Sequence, residues 1–159
     1  MQEIRGNLIQ LACEGRFDVV VHGCNCFCVM GAGIARHIKR IFPQAYAADV
    51  QTSPGDDKKL GSYSSAEVSL AIGHKLIVVN AYTQYGYKNT NTVQVNYGAV
   101  RSVMRSIKKD FSGLTIGYPK IGCGLGGGDW NVVSKIIDEE LEGENHWLVL
   151  LDQWTPGKG

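Results

Sequence analysis

The segment VVVHGCNCFCVMGAGIARHIKR, from Val19 to Arg40, decides the fold of this chain. It opens with a short continuous apolar run, which is typical of a strand that is covered on both faces. Its last part places Ile34 and Ile38 at the spacing of one face of a helix. Between the two lie three alternating cysteines, an asparagine and a Gly-Ala-Gly sequence. The segment therefore predicts a strand, a loop and a helix, with any chemistry in the loop.

Buried strands and amphipathic helices alternate along the rest of the chain as well. The apolar runs that predict strands are Val19–Val21, Leu76–Val79, Leu114–Ile116 and Trp147–Leu151. The further stretches with helical spacing are 95–107 and 133–141. Two strand-like runs meet at Gly73-His74, which predicts a hairpin and therefore one antiparallel pair. Because strands that alternate with helices need crossover connections, we predict a three-layer α/β/α sandwich with a mixed, largely parallel central sheet.

Length and composition indicate one compact domain. The chain has 159 residues, and 44% of them are hydrophobic, which is enough for a core of its own. We assign residues 1–154 to the domain and residues 155–159 to a flexible tail. The net charge of +1 predicts no strong nucleic-acid footprint, since a duplex-DNA binder needs a strongly basic surface.

The cellular setting is predicted from the absence of membrane-spanning, signal-peptide and disulfide patterns in the sequence. No apolar run is long enough to span a bilayer, so we expect no membrane partner. The first residues have no basic region followed by an apolar stretch. The five cysteines are not spaced as a disulfide framework. These features favour a cytoplasmic, reducing environment and leave the oligomeric state open.

The alternating residues His22, Cys24, Cys26 and Cys28 raise three possible functions. In an extended strand, alternate residues lie about 7 Å apart, which is too far for the ligands of one tetrahedral zinc ion. A cysteine nucleophile needs a base and an environment that favours the thiolate, and His22 is a nearby base. The third possibility is that the cysteines are small buried packing residues. We therefore predict no metal and no cofactor.

Two glycine-rich loops each join a predicted strand to a predicted helix. The first contains Gly31-Ala32-Gly33, and the second is PKIGCGLGGGDW, from Pro119 to Trp130, before a helix at Asn131–Leu141. A helix N-terminus offers unpaired N–H groups and partial positive charge, and glycine lets the backbone approach an anion closely. Neither loop matches a Walker loop or a dinucleotide fingerprint, and either could be a tight or flexible turn. As a pair at the carboxyl ends of strands, they predict a clamp for a diphosphate.

The order of five segments resembles the macrodomain family. The segments are GNL near the start, VVHGCN…MGAGIA, VVNAYTQYG, VNYGAVRSVM and PKIGCGLGGGDW, between about Ile4 and Leu151. The resemblance implies an α/β/α sandwich that binds ADP-ribose or an ADP-ribose derivative. Within the family the chain looks most like the phosphatases that convert ADP-ribose-1''-phosphate to ADP-ribose and phosphate. Two alternatives remain: a hydrolase that removes ADP-ribose from a modified protein or nucleic acid, and a non-catalytic ADP-ribose reader.

The resemblance also implies a role for individual positions. Asn25 corresponds to an asparagine that binds the distal ribose, and Asn7 to an aspartate that binds the adenine amino group. An asparagine oxygen accepts that bond more weakly than a carboxylate. The positions beside the distal ribose and diphosphate are Gly31, Ala32, Gly33, Ile34 and Ala35. The positions of the diphosphate loop are Gly122, Cys123, Gly124, Leu125, Gly126, Gly127 and Gly128. Candidates for flanking the distal ribose or adenine are Tyr82, Tyr85 and Trp154.

The catalytic residues depart from one branch of the family. The branch that removes ADP-ribose from glutamate uses a lysine after the fourth strand and an aspartate after Gly-Cys-Gly-Leu. Here the matching stretch NAYTQYG has no lysine, Lys88 lies a few residues on, and the aspartate position is Gly126, so no covalent lysine mechanism is expected. We predict His22, Asn25 and Asp129 as catalytic residues, with Asp129 as base and His22 as acid. The alternatives are a helix N-cap for Asp129 and a buried strand-end imidazole for His22.

Overall fold

The computed structural model describes residues 1–88 and 92–151. The strands are β1 (Gln2–Arg5), β2 (Val19–Cys24), β3 (Tyr63–Ser69), β4 (Lys75–Tyr82), β5 (Ile116–Tyr118) and β6 (His146–Leu150). The helices are α1 (Leu8–Cys13), α2 (Gly33–Ile41), α3 (Pro43–Val50), α4 (Tyr97–Phe111) and α5 (Trp130–Glu140). Trp154 and the predicted tail at residues 155–159 lie outside the described residues. None of the described helices is long and apolar enough to cross a membrane.

The six strands form one mixed sheet in the order β1-β6-β5-β2-β4-β3. In this sheet order, the neighbouring strands β1, β6, β5, β2 and β4 all run parallel, and β3 pairs with β4 in the antiparallel sense. The predicted hairpin is confirmed, because Leu70 N–H donates to His74 O at 2.9 Å where the two strands meet. The mixed, largely parallel sheet is therefore confirmed, and the carboxyl ends of five strands lie along one edge.

Helices cover both faces of this sheet. Val19 and Val21 belong to the core under α4 and α5. Val20, between them, belongs to the core under α1, α2 and α3. Because successive side chains of a strand point to opposite faces, a continuous valine run can be buried only when both faces are covered. The predicted three-layer sandwich is confirmed.

Three short elements, β1, α1 and α3, were not apparent from the sequence. Helix α1 has six residues, of which Leu8 and Ala12 are buried, so it is too short to show a clear period. The third predicted strand was placed too early, since β5 begins at Ile116. Leu114 packs on the core from the turn before the strand, which explains the apolar residue there.

Candidate functional site

The two glycine-rich loops leave neighbouring strands and meet. The first loop, residues 25–32, follows β2, and the second loop, residues 119–128, follows β5. Strands β2 and β5 are paired, which puts both loops at the same edge of the sheet. A methyl group on Gly33 would lie 3.5 Å from Leu125 Cδ1. The start of α2 and the tip of the second loop are therefore in contact range, and we call the space between the two loops the cleft.

Both sides of this cleft carry unpaired backbone donors. Ala32 occupies the N-cap of α2 and makes no side-chain cap hydrogen bond. The N–H groups of Gly33–Ala35 therefore have no acceptor in the helix. In the second loop, the N–H groups of Gly124–Gly126 have no acceptor anywhere in residues 1–88 and 92–151. Rows of unpaired N–H groups of this kind bind anions.

The second loop is a closed structure and not a merely flexible glycine run. Gly128 N–H donates to Gly122 O at 2.8 Å, which closes the loop on itself. Gly126 O accepts from Gln94 N–H at 2.8 Å and from Val95 N–H at 3.1 Å, which ties the loop to the segment before α4. A methyl group on Gly126 would lie 2.6 Å from Gly122 O, so a larger residue here would open the loop.

Asn25 holds the first loop in shape from its buried position at the end of β2. Its Nδ2 donates to Val29 O at 2.7 Å, and its Oδ1 accepts from Phe27 N–H at 2.9 Å. The carboxamide is thereby fixed, and it keeps one N–H and one oxygen lone pair for further partners. This geometry is compatible with the predicted contact with a ligand, which stays a prediction.

His22 lies beneath the cleft and not on its surface. The imidazole has no exposed surface, and its Nε2 lies 2.7 Å from Asn80 Oδ1. Burial lowers the pKa of this imidazole to about 4, although the hydrogen bond to Asn80 raises it in part. A neutral, buried imidazole has no accessible proton at neutral pH. The geometry therefore favours the alternative of a buried strand-end histidine over the predicted acid.

Asp129 and Asn7 both cap helices. Asp129 is the N-cap of α5, and its Oδ1 accepts from Asn131 N–H at 2.9 Å. Its own N–H donates to the hydroxyl of Tyr97, on the α4 side of the loop. Asn7 is the exposed N-cap of α1, and its Oδ1 accepts from Gln10 N–H at 3.0 Å. The capping alternative for Asp129 is thus present in the structure, and the catalytic role stays a prediction.

The predicted catalytic residues are not joined in one constellation. Among the hydrogen bonds and ion pairs of the described residues, none links Asp129 to Asn25 or to His22. Asn25 faces the first loop, and Asp129 follows the second loop on the side of α4. A ligand bound between the loops would have to contact both Asn25 and Asp129.

Two cysteines of the first segment are packing residues. Cys24 and Cys26 are buried in a small cluster with Met30 and Tyr82. Burial raises the pKa of the Cys24 thiol well above its ordinary value, and the charge of Asp49 adds to this effect. Within residues 1–88 and 92–151, no group of three or more His, Cys, Asp and Glu side chains could hold a metal ion.

Lys59 is a supporting residue that the sequence did not reveal. The sequence of its segment, Thr52–Ser62, is rich in glycine, proline and charge and predicts an exposed surface loop, yet Lys59 is only 7% exposed. Its ammonium donates to Cys26 O at 3.1 Å and lies 4.6 Å from the centre of the Tyr82 ring. The predicted exposure is therefore wrong for Lys59, because a carbonyl of the first loop and an aromatic face replace water around its charge.

Two neutral residues, from the stretches that match the lysine and aspartate segments of the family, lie close together. Gln84 is the residue after Thr83 in the stretch that matches the lysine segment, and its Nε2 donates to Gly86 O at 2.7 Å. Its Oε1 lies 3.1 Å from the point where a methyl group on Gly126 would be. The two positions are thus neighbours, and neither carries a charge.

Of the candidate aromatic residues, the structure exposes one and buries another. Tyr82 is 1% exposed, and its hydroxyl donates to Asp49 Oδ1 at 2.7 Å, so it belongs to the core. Tyr85 is 42% exposed and lies edge-on to Phe27, with ring centres 4.9 Å apart. Phe27 carried no signal in the sequence, because an isolated phenylalanine in a loop is most often a packing residue.

Comparisons with known proteins agree with this architecture. A model of the Macro domain family matches residues 21–137, which is more than half of the chain. An uncharacterized 17.5 kDa protein of Enterobacteria phage T4 is 36% identical over 161 residues, which cover 96% of each chain. A DNA ADP-ribosyl glycohydrolase of Thermus aquaticus is 25% identical over 87% of this chain, but over only 37% of its own length.

The fold also matches solved structures. Thermosipho africanus DarTG in complex with ADP-ribose superposes with a TM-score of 0.66 at 20% identity, covering 98% of this chain and 43% of that one. At this identity the likeness shows the fold alone. The family model and the phage relative both extend over most of the chain, and they show the family as well as the fold. This chain belongs to the macro domain family.

Proposed function

We propose that this protein binds ADP-ribose between the two loops and hydrolyses a derivative that carries a further group on the distal ribose. The observation that carries the proposal is the pair of N–H rows, Gly33–Ala35 and Gly124–Gly126, on the two sides of one cleft. A diphosphate has acceptor oxygens for both rows, and the N-terminus of α2 favours its negative charge. The complex of Thermosipho africanus DarTG with ADP-ribose supports this choice of ligand.

The order of strands supports one orientation of the ligand. Asn7 follows β1, the second loop follows β5, and the first loop with Asn25 follows β2. The ends of β1 and β2 are three strand spacings apart, roughly 14 Å. In this orientation adenine lies beside Asn7, the diphosphate between the loops, and the distal ribose beside Asn25. The spare N–H and lone pair of Asn25 would then bind ribose hydroxyls.

Phosphate is the group that the resemblance favours for removal, so ADP-ribose-1''-phosphate is the first candidate substrate. Water is the nucleophile in this proposal, because the stretch NAYTQYG, which matches the lysine segment, contains no lysine. The Asp129 carboxylate, which keeps one oxygen beyond its capping bond, is the candidate base. The alternative is removal of ADP-ribose from a nucleic acid or protein, and the Thermus aquaticus DNA ADP-ribosyl glycohydrolase supports a nucleic acid.

Two measurements test the proposal. Titration calorimetry should give heat with ADP-ribose at concentrations where AMP, which has no diphosphate and no distal ribose, binds more weakly. A product assay then offers ADP-ribose-1''-phosphate, ADP-ribosylated peptides and ADP-ribosylated oligonucleotide side by side. Equal affinity for ADP-ribose and AMP would refute the two-loop site. Binding without turnover of any substrate would leave the protein as a reader.

A further inference from the structure

An aromatic pocket lies beyond the end of β4, outside the cleft described above. It is lined by Phe27 from the first loop and by the segment that follows β4, and we call it the aromatic pocket. Its volume is about 210 Å³, and its lining residues are Phe27, Tyr85, Gly86, Tyr87, Lys88 and Gln94. Apart from Tyr85, which is a candidate for flanking the distal ribose or adenine, none of these side chains takes part in the proposed binding of ADP-ribose.

The aromatic pocket adjoins the cleft at the end where the distal ribose is proposed to lie. Phe27 N–H donates to Asn25 Oδ1 at 2.9 Å, so the pocket begins at the residue assigned to that ribose. On its other side, Gln94 N–H donates to Gly126 O at 2.8 Å. In the sheet, β4 is the next strand after β2, on the side away from β1. A group bonded to the distal ribose would thus enter the pocket.

The chemistry of the pocket suits a flat ring. Tyr85 and Tyr87 lie edge-on to Phe27, with ring centres 4.9 and 5.7 Å away. Tyr85 is held in place, because its hydroxyl donates to Gly55 O at 2.8 Å. Tyr85 and Tyr87 remain 42% and 47% exposed. Exposed aromatic faces of this kind stack with nucleobases.

Basic side chains lie at the rim of the pocket and on helix α2, and the acidic pair Asp56 and Asp57 follows Gly55 on the opposite side. Lys88 is exposed at the rim and takes part in none of the ion pairs among the described residues. Helix α2, which begins at the cleft, carries Arg36, Lys39 and Arg40 and no acidic residue. None of these three pairs with a carboxylate in the part of the chain that the structure describes. Helix α2 therefore gives the cleft a basic side, although the net charge of the chain is only +1.

We propose that the aromatic pocket receives the nucleobase of a single-stranded nucleic acid to which the ADP-ribose is attached. The inference rests on the proposed function, and of its two candidate substrates it selects ADP-ribose attached to a nucleic acid over ADP-ribose-1''-phosphate. Stacking selects a base, while Lys88 and α2 attract the neighbouring phosphates. A short single strand needs only this local basic side, in contrast to the broad footprint of duplex binding.

The test compares ligands with and without a base. The substrates are a single-stranded oligonucleotide with one ADP-ribosylated base and ADP-ribose-1''-phosphate, and the variants are Tyr87→Ala and Tyr87→Phe. KM comes from initial rates, and fluorescence anisotropy gives Kd for any ligand that is not turned over. We expect Tyr87→Ala to weaken the oligonucleotide about tenfold or more. Tyr87→Phe, which keeps the ring, should stay near the parent. Ile72→Ala, which truncates an exposed side chain at the β3–β4 hairpin, is the matched control.

The outcomes separate the inference from the proposed function. If the parent protein binds ADP-ribose but binds the modified oligonucleotide no more tightly, or prefers an ADP-ribosylated peptide, the inference is overturned. It is also overturned if Tyr87→Ala weakens both ligands equally, or if both ligands respond equally to added salt. If the parent does not bind ADP-ribose at all, the proposed function fails first. Tighter oligonucleotide binding that is lost in Tyr87→Ala alone supports the inference.

Discussion

His22 Nε2 donates a hydrogen bond to Asn80 Oδ1 at 2.7 Å, across the paired strands β2 and β4 and out of contact with solvent. The direction of this bond follows from Asn80, whose Nδ2 donates to Ala45 O at 2.9 Å and leaves its Oδ1 as the acceptor. The pair joins the two strands from which the first loop and the aromatic pocket emerge. His22 therefore supports the site from below.

We expect the free energy of unfolding to fall as the pH is lowered, in part because of His22. Its pKa is about 4 in the folded chain against 6.5 for the free side chain, so the unfolded state binds more protons between these values. The contribution is fully present above pH 6.5 and is lost as the pH falls to about 4. It amounts to roughly 3 kcal/mol.

Denaturant unfolding measured from neutral pH down to about 4 checks this prediction. His22→Gln, which keeps a hydrogen-bonding side chain but does not titrate in this range, should show a flatter pH profile than the parent. Parallel profiles for the two proteins would contradict the assignment to His22.

Gly126→Ala should weaken ADP-ribose binding. Its new methyl group would lie 2.6 Å from Gly122 O, so the second loop must open by an amount that costs about 1–3 kcal/mol. Gly73→Ala, at the β3–β4 hairpin and away from the loops, is the control, since a methyl group there would meet nothing within 4 Å. Calorimetry with ADP-ribose should show a loss of about tenfold or more for Gly126→Ala and little change for Gly73→Ala. Equal losses would mean that loop closure is not what matters.

Asp129 can be tested with substitutions that separate its two roles. Asp129→Asn keeps an N-cap for α5 and removes the carboxylate, whereas Asp129→Ala removes both. We expect the alanine variant alone to lose about 1 kcal/mol of stability. Turnover of ADP-ribose-1''-phosphate should fall about 10²–10⁴-fold in both variants if the carboxylate is the base. Full turnover in Asp129→Asn would leave Asp129 as a cap only.

Thr83→Val should leave the protein as stable as the parent or make it more stable. The Thr83 hydroxyl is buried and has no hydrogen-bond partner among the described residues. A methyl group of the same shape removes this unpaired polar group, and such replacements are nearly neutral or stabilising. Thermal unfolding checks the sign. A loss above about 1 kcal/mol would indicate a partner for the hydroxyl, such as a bound water.

Cys24→Ser should reduce stability more than turnover. The thiol is buried, and burial holds its pKa well above the ordinary value, so the thiolate is scarce at neutral pH. The hydroxyl of serine is more polar and loses free energy in this site, by about 1–3 kcal/mol without a partner. Rates at saturating substrate, with folding checked by circular dichroism, test the expectation. A variant that folds but has lost all turnover would point to a thiol nucleophile.

The secondary structure was predictable where the pattern is long and local. The valine run of β2 and the helical period of α2 lie within one segment, and each follows from the neighbours along the chain. The same holds for the Gly73-His74 hairpin. Helix α1 escaped prediction because six residues carry too little period. Lys59 was misplaced because its polar segment gives no sign of the carbonyl and ring that cover it.

The sequence by itself determined the layered α/β fold, the two glycine loops and the resemblance to macrodomains, because these depend on residue type and order along the chain. Only the tertiary structure decided which loop residues share a cleft, which candidate is buried and which aromatic side chains meet. His22 and Asn80 are 58 positions apart, and Phe27 and Tyr85 are similarly distant. Such pairs form when β2 and β4 align in register. The lowered pKa of His22 follows from its burial in the folded protein and from no feature of its neighbours in sequence.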